Sequence, residues 1–248
     1  MTTTAHTPAP ETGPPRSAPS QDSIRGTART TGLLYLALAI TGILGFLLVR
    51  PLLFVPDDPT ATMANLLDRE LMARAGIVLE LGIVVSQALV ALWFYRLFRT
   101  IDPFAAGSIA VFGLINAITI LGSAAFLATA LEVARSPLVA SAGDAAGQVH
   151  LMYVISENLW GVGAVFFGLW LIPMGWCALQ SGWMPRALGW VLIAGGVGYV
   201  LSAVVSYIAP DLDPLVIALT LPATVGEFWM IGYLLLRGVR RSTAPTSS

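Results

Sequence analysis

Six stretches of this sequence are long, apolar and almost free of charge. Residues 31–49, 103–131, 158–185 and 187–210 carry no charged side chain. Residues 75–95 carry only Glu80, and residues 214–236 only Glu227. At 1.5 Å per residue, about 20 residues of helix cross the roughly 30 Å hydrocarbon of a bilayer. Each run therefore suffices for one crossing, and none comfortably supplies two. Lipid offers the backbone no hydrogen-bond partner, so a crossing segment must bond within itself as a helix. The runs predict an all-α, six-transmembrane-helix bundle. Composition agrees: only 11% of residues are charged, against about 25% in soluble domains.

The segment 1–30 is rich in Thr, Pro, Ser and Ala. It has too little apolar surface to offset the entropy of ordering, so it is expected to be a disordered tail. It does not read as a cleavable signal peptide, because the following run is too long for a signal core. The expected domains are a cytoplasmic tail over 1–30, a six-helix transmembrane domain over 31–238, and a second cytoplasmic tail over 239–248.

Arginine sets the expected orientation, since cytoplasmic flanks are enriched in basic residues. Arg16, Arg25, Arg29, Arg96, Arg99, Arg186, Arg237, Arg240 and Arg241 fall on the side of the termini. Arg50, Arg69, Arg74 and Arg135 fall on the other. The N- and C-termini are therefore predicted cytoplasmic, in a multi-pass protein of the bacterial cell membrane. On the far side, Asp58-Pro59 pairs an N-cap acceptor with a proline at the first helical position. Met63, Leu66, Leu67 and Leu71 follow at helical spacing, so a short interfacial helix is predicted over 59–73. Residues 136–148 read as a mobile loop. A shift of 77 residues superposes Glu80 on Glu157 and Trp93 on Trp170, a weak sign of repeated hairpins.

Glu80, Glu157 and Glu227 are the sharpest chemical feature. An ionised group at the bilayer centre costs on the order of 2.5–3.5 kcal/mol, so each glutamate must be paired, protonated or facing water. His150, Tyr153 and Glu157 share one helical face, with Asn158 adjoining. These six residues form the candidate polar cluster inside the membrane: a binding site or proton relay on one reading, a structural hydrogen-bond network on the other. Arg74, Arg135 and His150 are the expected partners near the far surface. No catalytic residue, metal site or cofactor is indicated. There are two histidines, one of them in the tail, and a lone His with scattered carboxylates falls short of a zinc ligand set. No nucleophile elbow or phosphate loop is present. The net charge of −1 points away from nucleic acid, leaving the lipid bilayer and a small-molecule ligand as the expected partners. The oligomeric state is not legible.

At residues 166–173 the chain reads Phe-Phe-Gly-Leu-Trp-Leu-Ile-Pro. At 181–189 it reads Ser-Gly-Trp-Met-Pro-Arg-Ala-Leu-Gly, with Gly198-Tyr199 beyond. With the Thr-Gly-Leu-Leu-Tyr opening at 31–35 and the Glu227 segment ending at 235–238, it resembles the bacterial membrane family called domain of unknown function 4386 over roughly 28–240. The resemblance implies six helices and no assigned activity, and it supplies no catalytic residue to carry over. The reading is an integral membrane protein without an identifiable catalytic motif. Its alternatives are a small-molecule or proton-coupled transporter using the glutamates, and an intramembrane enzyme or ligand sensor centred on His150 and Glu157.

Overall fold

The computed structural model describes residues 21–136 and 144–238. Among these it contains α1 (Gln21–Gly42), a π-helix (Ile43–Val49), α2 (Arg50–Leu53), α3 (Pro59–Asp68), α4 (Glu70–Phe98), α5 (Pro103–Arg135), α6 (Ala145–Gln180), α7 (Arg186–Ile208) and α8 (Asp213–Leu236). α1, the π-helix and α2 form one continuous rod. With it, six helices are long and apolar enough to cross a membrane. They pack in a ring, each against its sequence neighbour, and α1 closes the ring between α4 and α8. The seam between α1 and α8 is the thinnest.

Two boundaries differ from expectation. α1 begins at Gln21, so the last ten residues of the segment read as disordered are helical; residues 1–20 and 239–248 lie outside the described residues. The helix gains that extension by packing, since Ala28 is fully buried and Ile24 rests on the core. α3 ends at Asp68, not at residue 73. Its predicted cap holds, with Asp58 Oδ1 accepting from the Ala61 N–H at 2.8 Å. Arg69 then leaves helical geometry (φ −122°, ψ 41°). Its guanidinium donates to the Leu52 carbonyl at 3.0 Å, which fixes the corner. Of the expected loop 136–148, residues 137–143 lie outside the description, and residues 145–148 are already α6, capped by Asp144.

The helices are not equally long. α7 and α8 have 23 and 24 residues, about one hydrocarbon thickness. α4, α5 and α6 have 29, 33 and 36. Their relative register follows from close backbone contacts. A Cβ on Gly168 of α6 would stand 2.6 Å from the Gly196 carbonyl of α7, and one on Gly175 would stand 2.5 Å from the Gly189 carbonyl. Only hydrogen fits at these crossings, so small residues let the helices approach as they do in membranes generally. This antiparallel register sets Ser156 of α6 level with Ile208 at the end of α7. Everything N-terminal of Ser156 on α6, with the matching parts of α4 and α5, projects past the α7–α8 turn.

The bundle thus has two tiers. The lower one, toward the termini, holds a core around Tyr35, Phe94, Phe98, Trp170, Met174 and Leu192. The upper one lies beyond the α7–α8 turn and is built on Leu53, Phe54, Leu66, Leu131, Val149 and Tyr153. α3 lies across it, held by Thr62 to Val55 and by Asn65 to the Leu53 carbonyl.

Candidate functional site

Where the tiers meet, a polar centre is buried. Arg50 is 6% exposed and Glu80 2%. Arg50 Nη2 donates to Glu80 Oε1 at 2.7 Å, to Ser156 Oγ at 2.7 Å and to Ser123 Oγ at 3.3 Å. Ser123 donates to Glu80 Oε2 at 2.9 Å and lies 2.6 Å from Ser156. Trp160 Nε1 reaches Ser123 at 3.1 Å and Glu80 Oε1 at 3.3 Å. Phe46 covers the guanidinium at 5.2 Å and packs tilted against Trp160, ring centres 4.5 Å apart. Four membrane helices each contribute at least one polar group.

Local sequence explains how Arg50 is aimed. Thr41 bonds back to the carbonyls of Ala37 and Leu38, and the π-helix follows directly. There the Arg50 N–H reaches the carbonyl of Gly45, five residues back. That widened turn shifts the angular position of every residue beyond it, a feature frequent at functional sites. Gly45 lies against Leu79 and the Glu80 backbone, so the rod comes close to α4 where the pair forms.

The centre is not fully satisfied. Arg50 Nε and Nη1 are buried and have no hydrogen-bond partner among the described residues. Arg50 also lines a cavity of about 10 Å³, together with Glu80, Gly76 and Tyr153 among others. That is the room one water needs.

The predicted cluster divides. Glu80 belongs to this centre, and Tyr153 lines its cavity, stacked on Phe54 at 5.2 Å. His150 packs on the same Phe54 ring, its Nδ1 buried without a hydrogen-bond partner among the described residues. Glu157 is exposed on α6. Asn158 is exposed too and turns its amide back to the Val154 carbonyl. Glu227 is elsewhere: its Oε1 accepts from the Tyr35 hydroxyl at 2.5 Å. Tyr35 packs on Phe94, fourteen residues along α4 from Glu80, so the two acids are about 21 Å apart along the bundle. Arg74 and Arg135, expected as partners of the intramembrane acids, both pair with Glu70 instead. Among the described residues no group of three or more His, Cys, Asp or Glu could hold a metal ion.

The family described as domain of unknown function 4386 matches residues 30–238. The chain belongs to that family. No curated protein and no solved structure matches it. In this member of the domain of unknown function 4386 family, the sequence reading missed Arg50, Ser123, Ser156, Trp160 and Tyr35. One signal marked Arg50: it interrupts an apolar text that resumes at once as Pro-Leu-Leu-Phe-Val, whereas a true loop charge has polar neighbours. Counted as a far-side loop arginine, it is in fact an ion-pair partner inside the helix rod.

Proposed function

We propose that this is a membrane-embedded binding protein whose Arg50–Glu80 centre takes a small hydrogen-bond-accepting ligand. The chain sits in the bacterial cell membrane with both termini in the cytoplasm, as the arginine distribution supports. Its centre then lies at the outer edge of the hydrocarbon, level with the α7–α8 turn. One observation carries the reading: the buried Nε and Nη1 of Arg50 have no acceptor among the described residues, and Arg50 lines a cavity. A buried donor left without a partner costs about 1–3 kcal/mol, more when it is charged. Something with a lone pair belongs there.

The ligand's class follows from charge and size. Arg50 and Glu80 already neutralise one another, so an anion would leave the site negative in a poorly solvating environment. A neutral acceptor keeps the balance: water at rest, and in its place the hydroxyl, carbonyl or amide oxygen of a small molecule. The cavity admits one such atom. A carrier working through a shared carboxylate relay is less well supported, because this cavity reaches Glu80 but neither Glu157 nor Glu227.

The test is a thermal-shift screen of the detergent-purified chain against small alcohols, ketones and amides, with halides as the anionic control that should not bind. A binder raises the unfolding temperature of the wild type and not of Arg50→Lys, which keeps the charge opposite Glu80 but removes the Nε and Nη1 donors. A stabilising ligand that acts equally on Arg50→Lys overturns the assignment. So does a wild type that nothing in the panel shifts while Arg50→Lys is equally stable.

A further inference from the structure

We propose that Glu227 is a proton-binding site in the middle of the membrane, a carboxylic acid that lipid-soluble carbodiimides modify. The proposal is independent of the Arg50 centre. Glu227 lies fourteen residues from Asp213 and nine from Leu236 on α8, about 21 Å and 14 Å from its two ends. Among the described residues it accepts a hydrogen bond from Tyr35 on α1. The groups facing it from the packed elements are few. α7 offers Tyr199, close enough to interact electrostatically. At this level α4 and α6 offer Phe94 and Trp170, packed on Tyr35 at 5.5 Å and 5.8 Å. The nearest arginines along α1 and α4, Arg29 and Arg96, are exposed, and neither pairs with Glu227.

An ionised carboxylate here has no cation among the described residues to offset its lost hydration, and one phenol cannot do so alone. The neutral acid has no such deficit: its carbonyl oxygen accepts from Tyr35, and its proton stays on the other oxygen. Glu227 is also within reach of lipid. It is half-buried, and its neighbours Val225, Phe228 and Trp229 are 58%, 52% and 39% exposed among the described residues.

The chemistry follows from the bound proton. A carboxylic acid adds across one N=C bond of a carbodiimide: the carboxyl oxygen bonds to the central carbon and the acid proton goes to nitrogen. Migration of the acyl group from oxygen to nitrogen then gives a stable N-acylurea. The whole reagent is retained and nothing leaves.

The experiment treats the full chain, in detergent and in phosphatidylcholine vesicles, with dicyclohexylcarbodiimide between pH 5 and 9, followed by peptide mass mapping. The peptide holding Glu227 gains one reagent mass, with a yield that falls as pH rises, about tenfold per unit beyond the midpoint. Glu227→Gln abolishes the label in that peptide, and Tyr35→Phe retains it. If Glu227→Gln fails to fold, the wild-type map still decides the question. A water-soluble carbodiimide modifies exposed Asp211 and leaves Glu227 unmodified. No label on Glu227 at pH 5 overturns the proposal, as does a yield independent of pH. Protection by sodium or potassium ions at fixed pH also overturns it, because the site would then hold a metal cation instead of a proton.

Discussion

Replacing Arg50 by Met is the sharpest test of the polar centre. The substitution removes three donated hydrogen bonds, to Glu80, Ser123 and Ser156, and leaves Glu80 charged at 2% exposure. What remains to Glu80 is the Ser123 hydroxyl and a long contact from Trp160. Breaking a buried pair by removing one partner costs about 3–5 kcal/mol, because the other charge is left uncompensated. Glu80→Leu should cost a similar amount by stranding Arg50. The double variant should not cost the sum. With both charges gone, Ser123 and Ser156 still bond one another at 2.6 Å, and Trp160 still bonds Ser123. Apolar replacement of an entire buried pair is often neutral. The predicted coupling energy is therefore the sum of the two single losses, about 6 kcal/mol or more, well above what such cycles resolve. At roughly 2–4 °C per kcal/mol for a chain of this size, each single variant unfolds on the order of 10 °C early. The double variant lies near the wild type. The assay is tryptophan fluorescence on heating in one detergent, with all four proteins side by side. Additive losses, or an Arg50→Met protein as stable as the wild type, would refute the reasoning.

Five further outcomes are expected. Gly196→Val places side-chain atoms where even a Cβ stands 2.6 Å from the Gly168 carbonyl; it should destabilise by about 1–3 kcal/mol in a melting assay. Gly232→Ala, where nothing lies within 4 Å, should be neutral or stabilising by about 0.5–1 kcal/mol. Asp102 lies between the second and third spans. Its carboxylate is held below the usual range chiefly by the Ala105 N–H, with smaller help from Trp176 and the Phe104 N–H against a burial effect of opposite sign. A lowered folded-state value stabilises above the unfolded value of about 3.9 and is lost as pH falls through the folded value. The unfolding curves of wild type and Asp102→Asn should therefore differ at pH 7 and draw together only as the pH falls below the unfolded value. Cys177 is fully buried, so the native chain should resist an impermeant maleimide. Cysteines placed at Asp58 or Asp211 should label on intact cells, and cysteines at Arg99 or Arg186 only after permeabilisation; the reverse pattern would invert the orientation.

The six spans were legible because lipid imposes a requirement that one dimension can express: a length of apolar text. The Asp58 cap was legible for a similar reason, being local chemistry between neighbours. Azimuth was not. Glu80 and Glu157 stand at comparable depth and align under the 77-residue shift, yet Glu80 is buried and Glu157 exposed. Which way a side chain points depends on the ring's packing and on a π-helix that no composition announces. Arg50 was misplaced for that reason. A charge at the end of an apolar run reads as the end of the helix, and here the rod continues for another turn and carries the charge into the protein. The glutamates could be found from sequence, but their separate partners depend on which helices pack together.

The position of the centre accounts for a register that apolar packing alone leaves weakly fixed. Lipid chains compete on equal terms with Leu and Val for a helix surface, so hydrophobic contact does little to forbid one helix sliding along another. Moving the α1 rod by one turn along α4 shifts it about 5.4 Å and trades aliphatic contacts for similar ones. The same slide takes Arg50 out of reach of Glu80, Ser123 and Ser156 together, since their bonds tolerate only tenths of an ångström. Three acceptors on three helices define one position, as a single polar residue can define register in a coiled coil. The α6–α7 contact needs no such device, because Gly168 and Gly175 meet Gly196 and Gly189 carbonyl to α-carbon, and a one-turn slide there sets side chains against backbone. Polar bonding thus fixes the tall half of the ring, where α4, α5 and α6 outrun α7 and α8, and steric fit fixes the short half.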